Sequence, residues 1–285
     1  MNRTERIALL AQKNITSRRH AMKTILEEER LPYRLQEKAG NYKNPLGVVN
    51  YIIEPEGNTA CMLFSAHYDA VAGSCGANDN AASVCILIDL ALELRRRNIP
   101  ARFVFFDGEE NKLAGSRHFI ENIDRSLITA AINLDLCGFG DAMTIYSHGK
   151  KHGSCYTLEP FMRKEIFEKY NGQLVNYLPK SDDASLISAK IPTLAISVMP
   201  RSDVAFLKAL ATYNNGILGK PPEYGMMIDQ MEISTTMHGG YRDDLKWLEN
   251  ASMDMVYNFL LEAVGTKPET VKKRWGIFNI SNKNN

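Results

Sequence analysis

Five short segments each deliver an oxygen or imidazole donor: His67-Tyr68-Asp69, Asp79 within Gly76-Ala77-Asn78-Asp79-Asn80, the pair Glu109-Glu110, Asp135, and His238. Taken singly, each has an ordinary reading. A histidine in a chain with six is more often a surface or core hydrogen-bonding residue, and adjacent glutamates usually form a solvated turn. An aspartate at a helix start is commonly an N-cap. Taken together they form a set, because carboxylates gathered at one place repel one another unless a cation neutralises them. Two histidines and several carboxylates without cysteine are the donors of zinc or a neighbouring divalent ion in a hydrolytic site. Two ions about 3.5–4 Å apart require a bridging carboxylate and a bridging water, and the donors suffice for two.

These segments meet only if the chain winds into one sheet. Residues 47–53 are β-rich, 60–66 (ACMLFSA) form an unbroken apolar run, and 102–106 (RFVFF) form another. Such runs read as strands covered on both faces. Further strands are expected over 130–136, 143–147 and 192–198, with helices over 79–98, 114–122, 156–170 and 243–264. The helix over 79–98 has an acidic start and ends in Arg95-Arg96-Arg97, as the macrodipole favours. Strand–helix alternation implies a largely parallel sheet with helices on both faces. In such sheets ligands bind outside the carboxyl ends of the strands, where the donors fall. The first 30 residues carry Ile7, Leu10, Ile15, Met22, Ile25 and Leu26 at helical spacing and are expected to pack outside the core. Residues 200–237, with Asn214-Asn215-Gly216, Pro221-Pro222 and several methionines, read as an irregular excursion or lid.

A chain of 285 residues fits one large α/β domain. Its 34 basic and 33 acidic residues argue against a nucleic-acid-binding face. The longest apolar stretch, 81–94, is broken by Asp89 and Glu93, so no membrane span is expected. No signal-peptide core is evident at the start, and a cytoplasmic location is the expectation. Five cysteines without a C-x-x-C pair fit reduced thiols. Spacing alone leaves a Cys75–Cys137 pair open.

The words SAHYDAV (65–71), GANDNAAS (76–83), FFDGEENKLAGSRHF (105–119), NLDLCG (133–138), SDDASLISAKIPTLAIS (181–197) and HGGYRDDLKWL (238–248) resemble, in order, the co-catalytic zinc aminopeptidase family. Glutaminyl cyclases share its fold. The resemblance covers roughly residues 45–265 and implies a single-domain three-layer α/β/α sandwich with a mostly parallel mixed sheet, the zinc-exopeptidase architecture. It implies an N-terminal helical segment (1–40), a catalytic domain (41–267) and a tail (268–285). Carried over by position, His67 and Asp135 ligate one zinc, Glu110 and His238 the other, and Asp79 bridges both. Glu109 is the general base, and Asp69 orients His67. The implied activity is hydrolysis of N-terminal residues from peptides with two zinc ions, or cobalt or manganese in their place, through a metal-bridging water.

Two departures touch the substrate pocket. Asp183 stands where many aminopeptidases carry histidine, and Gly-Gly-Tyr-Arg-Asp-Asp follows His238. Tyr241 reads as a packed aromatic or as a group reaching the oxyanion. The rival readings are a one-zinc glutaminyl cyclase-like acyl transferase, for which Asp182-Asp183 supplies an extra acid, a related exopeptidase or deacylase, and an inactive binding module of the same fold. The cyclase reading calls for a tryptophan-lined pocket, and the chain has only Trp247 and Trp275. The exopeptidase reading calls for an inserted domain, for which the chain has little room.

Overall fold

Strand β3 (Cys61–His67) lies at the centre of an eight-stranded sheet, between β4 (Ala101–Phe106) and β5 (Ile128–Leu134), and runs parallel to both. Next to β5 and parallel to it is β8 (Thr193–Met199). The strands directly flanking this core, β2 (Val48–Ile53) and β6 (Ala142–Ser147), run antiparallel to it. β2 pairs with β4 and with the edge strand β1 (Arg34–Lys38), while β6 pairs with β8 and, in parallel, with the edge strand β7 (Gly172–Val175). The computed structural model describes residues 1–42, 44–57, 59–147, 155–214 and 221–268. His148, His152, the Asn215-Gly216 turn, Trp275 and nearly all of the expected tail lie outside the described residues.

Side-chain alternation along the strands divides the core. Phe64, Ala66, Phe103, Phe105, Ile132 and Leu134 face one way, beneath α1 (Arg3–Leu10), α2 (Ile15–Glu28), α3 (Ala82–Arg96) and α9 (Asn250–Gly265). Leu63, Val104, Phe106 and Ala131 face the other way, beneath α4 (Ala114–Asn122) and α6 (Asp183–Ser188). Strands buried on both faces read as continuous apolar runs, which is why β3 and β4 are legible in the sequence. The result is the expected mixed α/β domain. Among the described residues, no helix is long and apolar enough to cross a membrane.

Several expectations are corrected. The helix over 156–170 is three short pieces: a 3-10 segment Tyr156–Met162, α5 (Lys164–Phe167) and a 3-10 turn Glu168–Tyr170. Pro160 has no N–H to donate, and Arg163 is extended at φ −77°, ψ 120°, which breaks the run. The closing helix begins at Asn250 rather than Asp243, because Leu248 and Glu249 are extended. The described residues of 200–237 are largely helical: they form α7 (Arg201–Asn214), α8 (Pro222–Gln230) and a 3-10 segment Glu232–Thr236, with Pro200 directly before α7 and Pro221-Pro222 at the start of α8. The helix expected from Asp79 starts regular geometry only at Ala82, since Asp79 and Asn80 have non-helical φ/ψ and are joined by a cis peptide. Cys75 and Cys137 are both free thiols.

Candidate metal centre

Three adjacent parallel strands end on one edge of the sheet and deliver most of the donors. His67 is the last residue of β3, opposite Phe106 at the end of β4. Asp135 follows β5 directly, its N–H donating to Ile196 O at 3.0 Å. Glu109 and Glu110 follow β4 through Asp107 and Gly108, which takes φ +70°, a conformation that glycine adopts freely. The other two donors come from loops. Asp79 sits in the turn before α3, and His238 follows the 3-10 segment Glu232–Thr236 with its N–H donating to Asp79 Oδ2 at 3.0 Å.

The donors form two groups that share one residue. His67, Asp79 and Asp135 place ligating atoms within 4.8 Å of one another, and so do Asp79, Glu110 and His238. His67 Nε2 lies 3.3 Å from Asp79 Oδ1 and 3.5 Å from Asp135 Oδ1. His238 Nε2 lies 3.8 Å from Glu110 Oε2. His67 and Asp79 are buried, whereas the His238 side chain is 60% exposed, so the centre opens to solvent on that side. Glu109 stands beside the groups and in neither.

Asp69 organises the cluster. Its Oδ1 accepts the Glu109 N–H at 3.0 Å, and its Oδ2 accepts the Glu110 N–H at 3.2 Å. Its Oδ1 also lies 3.4 Å from His67 Nδ1, which faces the Asp69 carbonyl at 3.3 Å as well. With two acceptors at Nδ1, that nitrogen keeps its proton, which leaves Nε2, facing Asp79 and Asp135, as the nitrogen that can ligate a cation.

The sequence reading missed the side chains that hold the Asp79 loop. Asp243 Oδ1 accepts the N–H groups of Asn78 and Asp79 at 2.9 and 3.2 Å, and its Oδ2 accepts Ser74 Oγ at 2.5 Å. Asn78 donates to Thr236 Oγ1 and accepts the Gly138 N–H; Asn80 donates to Leu134 O and accepts the Leu136 N–H. Both asparagines therefore lash this loop to the segment around Asp135. The doubled Asn flanking Asp79 was the available signal. For Asp243 it was one of two adjacent aspartates, which sequence alone does not separate.

The electrostatics are those of crowded like charges. Burial, reinforced by Asp135, Asp182 and Asp69, pushes Glu109 up to about 9. Burial and then Asp79 push Glu110 up to about 8. Burial alone would lower the His67 imidazole, but pairing with Asp135, Asp69 and Asp79 holds it well above its ordinary range. Burial would raise Asp79, and His67 more than reverses this, leaving it below the usual carboxylate range. Glu110 Oε1, Asp135 Oδ1 and both oxygens of Asp182 are buried without a hydrogen-bond donor. Asp182 is pushed to about 7 by burial, with Asp69 and Asp135 adding to it.

Beside Asp135 opens a cavity of about 200 Å³ whose wall includes Leu207, Tyr224, Ile228, Met231, Ile233 and Met237. The stretch read as an excursion is therefore a pocket wall. Tyr241 is 68% exposed, with the Arg242 guanidinium over its ring, so it is not the packed aromatic expected. His118 bonds to Glu37 O and Asn122 in α4 and belongs to the scaffold.

Comparison with known proteins identifies the family. The endoplasmic reticulum metallopeptidase 1 of Mus musculus is 31% identical over 116 residues, which are 39% of this chain and 13% of that protein. Aminopeptidase YwaD of Bacillus subtilis is 33% identical over 84 residues, 27% of this chain and 18% of the other. The matches thus span a small part of these relatives. Among solved structures, the Legionella pneumophila LapA aminopeptidase aligns with a TM-score of 0.65 at 14% identity, over 94% of this chain and 71% of that one. The Porphyromonas gingivalis glutaminyl cyclase aligns with a TM-score of 0.64 at 16% identity, over 93% and 98%. At such identities the likeness concerns the fold. The description "Peptidase family M28" matches residues 49–235, well over half of the chain and every donor up to Asp135, and the chain belongs to that family.

Proposed function

We propose that the chain is a metal-dependent aminopeptidase that removes residues with apolar side chains from peptide N-termini. The observation that carries this reading is the pair of three-donor groups sharing Asp79, of which one donor, Asp135, lines a largely apolar cavity. The residues fit two divalent cations. Buried, donorless oxygens on Glu110 and Asp135 mark positions where a cation completes the coordination that no N–H supplies. Nitrogen and oxygen donors without thiolate suit zinc. His67 and Asp135 would hold one ion and Glu110 and His238 the other, with Asp79 between them. When bound, such ions supply Lewis-acid polarisation of the scissile carbonyl and stabilise the charge that develops on its oxygen.

The chain's own groups do the rest. Glu109 takes a proton from the attacking water and passes it to the leaving amine. Its high proton affinity in the metal-free protein reflects burial and like charges, and cations held by the neighbouring carboxylates would lower it. Asp69 fixes the Glu109 and Glu110 backbones and the His67 ring, so base and ligands move as one unit. The cavity beside Asp135 receives the N-terminal side chain. At about 200 Å³ it exceeds the roughly 150 Å³ of an apolar cavity that binds benzene, so a leucine, methionine or phenylalanine side chain fits.

Buried Asp182 favours one alternative, an acyl transferase that closes N-terminal glutamine, as the structurally similar Porphyromonas gingivalis protein's name describes. The cavity wall argues against it, since its large members are methionine, leucine and isoleucine with Tyr224 as the aromatic. Incubating zinc-reconstituted protein with leucyl p-nitroanilide and with a glutaminyl peptide separates the two. Release of p-nitroaniline supports the aminopeptidase, and ring closure without hydrolysis overturns it. Inactivity toward both, with no metal bound, leaves the binding module.

A further inference from the structure

Two arginines of the N-terminal helix pair are buried, and they are used differently. Arg6, 3% exposed, meets carboxylates directly, pairing with Asp89 of α3 and with Glu29. Arg18, 1% exposed, sends its hydrogen bonds to main-chain carbonyls. Its Nε donates to Tyr68 O, between His67 and Asp69; Nη1 donates to Cys75 O at 2.7 Å, and Nη2 to Gly76 O at 3.4 Å. A fourth carbonyl, Gln12 O, lies at the limit of Nη1 at 3.5 Å. Gly76 is left-handed at φ +57°, and a Cβ there would stand 2.7 Å from Arg18 Nη1, so the guanidinium lies against bare backbone.

Such a buried cation is costly unless charge is balanced nearby. The negative charges that act on Arg18 are Asp69, Asp243 and Asp79, all in or against the two loops it grips. Asp243 grips the second loop as well, through Ser74, Asn78 and Asp79. The planar fork of an arginine reaches several carbonyls at fixed angles, which a lysine ammonium does not reproduce.

We infer that Arg18 is a positioning residue of the metal centre: its guanidinium ties the strand end bearing His67 and Asp69 to the loop bearing Asp79, holding the shared ligand in register before cations bind. This rests on the proposed metal centre. It makes the N-terminal helices part of the site, through α2, although no donor lies on them.

The test is a competition titration of zinc against a chromophoric chelator, together with the visible spectrum of the cobalt-substituted protein. Both are done on the full chain below the melting temperature of each variant. Arg18→Met is expected to lose roughly 10–100-fold in zinc affinity, as loss of a group supporting a ligand does, and to change the cobalt spectrum. Arg18→Lys, which keeps the charge without the fork, is expected to lose about tenfold or somewhat less. Arg6→Met, an equally buried control, is expected to lower Tm while binding zinc within about twofold of wild type. Wild-type affinity and spectrum in Arg18→Met overturn the inference, and so does a loss in Arg6→Met that matches it. Should Arg18→Met fail to fold, Arg18→Lys decides: a loss supports the fork, wild-type affinity overturns it. A wild-type protein that binds no metal refutes the metal centre itself, a result distinct from all of these.

Discussion

Asp69→Asn separates positioning from charge in this centre. The carboxylate accepts the Glu109 and Glu110 N–H groups, one on each oxygen, and faces His67 Nδ1 at 3.4 Å. An asparagine side chain has one carbonyl oxygen, so its NH₂ group must face either the Glu110 N–H, in place of Oδ2, or both the Glu109 N–H and the imidazole, in place of Oδ1. At least one part-buried donor is left unpaired, at a cost of about 1–3 kcal/mol. In the metal-free protein this loss is opposed, because removing one negative charge relieves repulsion on Glu109 and Glu110. With cations bound there is no repulsion left to relieve, and the full loss falls on the metal-bound state. The expected result is a zinc affinity lower by about 10–100-fold. The metal-free Tm should stay within about 4 °C of wild type, since each kcal/mol moves Tm by roughly 2–4 °C in a chain of this size. Chelator competition and thermal melts with and without EDTA measure the two quantities. Zinc affinity within twofold of wild type would refute the reasoning. So would a metal-free Tm that falls while affinity is unchanged.

Further expectations follow from the same geometry. Glu109→Gln should retain zinc and fold while turnover of leucyl p-nitroanilide falls by about 10²–10⁴-fold; near-normal turnover removes Glu109 as the base. Filling the cavity with Met231→Trp should raise KM for leucyl substrates more than for alanyl ones, and an unchanged ratio places the side-chain pocket elsewhere. In the metal-free protein, Glu109, Glu110 and Asp182 are raised to about 9, 8 and 7, above their values in an unfolded chain of about 4. The folded state then holds more protons than the unfolded one across that window, so stability is greatest near its acid end and falls as pH rises toward 9. Scanning calorimetry of EDTA-treated protein should show Tm declining from about pH 5 to 9, and a rising Tm contradicts the crowded-carboxylate description. Zinc binding at neutral pH should release protons, read by titration calorimetry in buffers of different ionisation heat; uptake of protons contradicts the same description.

His67, the Glu109-Glu110 pair and Asp135 were legible because each lies where an apolar run stops. β3 and β4 are buried on both faces, so His67 and the Glu109-Glu110 pair stand out as abrupt polar endings. The edge strand β1, with sequence RLQEK and mostly exposed residues, gave no such contrast. Helices α7 and α8 were hidden by the prolines at their starts, Pro200 before α7 and Pro221-Pro222 at α8. Asp243 and Arg18 were invisible for another reason. Their partners are main-chain groups at sequence distances of 50 residues and more, and no local pattern encodes a contact to a carbonyl or an amide. Tertiary placement of this kind becomes readable only once the loops are in space.

The central claim is a pair of cation sites joined by Asp79 and needed for hydrolysis. It is tested most directly by titrating the metal-free protein with zinc while following leucyl p-nitroanilide turnover and bound metal together. Binding is expected to saturate at about two equivalents, with turnover rising alongside it, and Asp79→Ala should bind neither ion tightly. Saturation without turnover, or an Asp79→Ala variant that fills both sites as wild type does, would contradict the account.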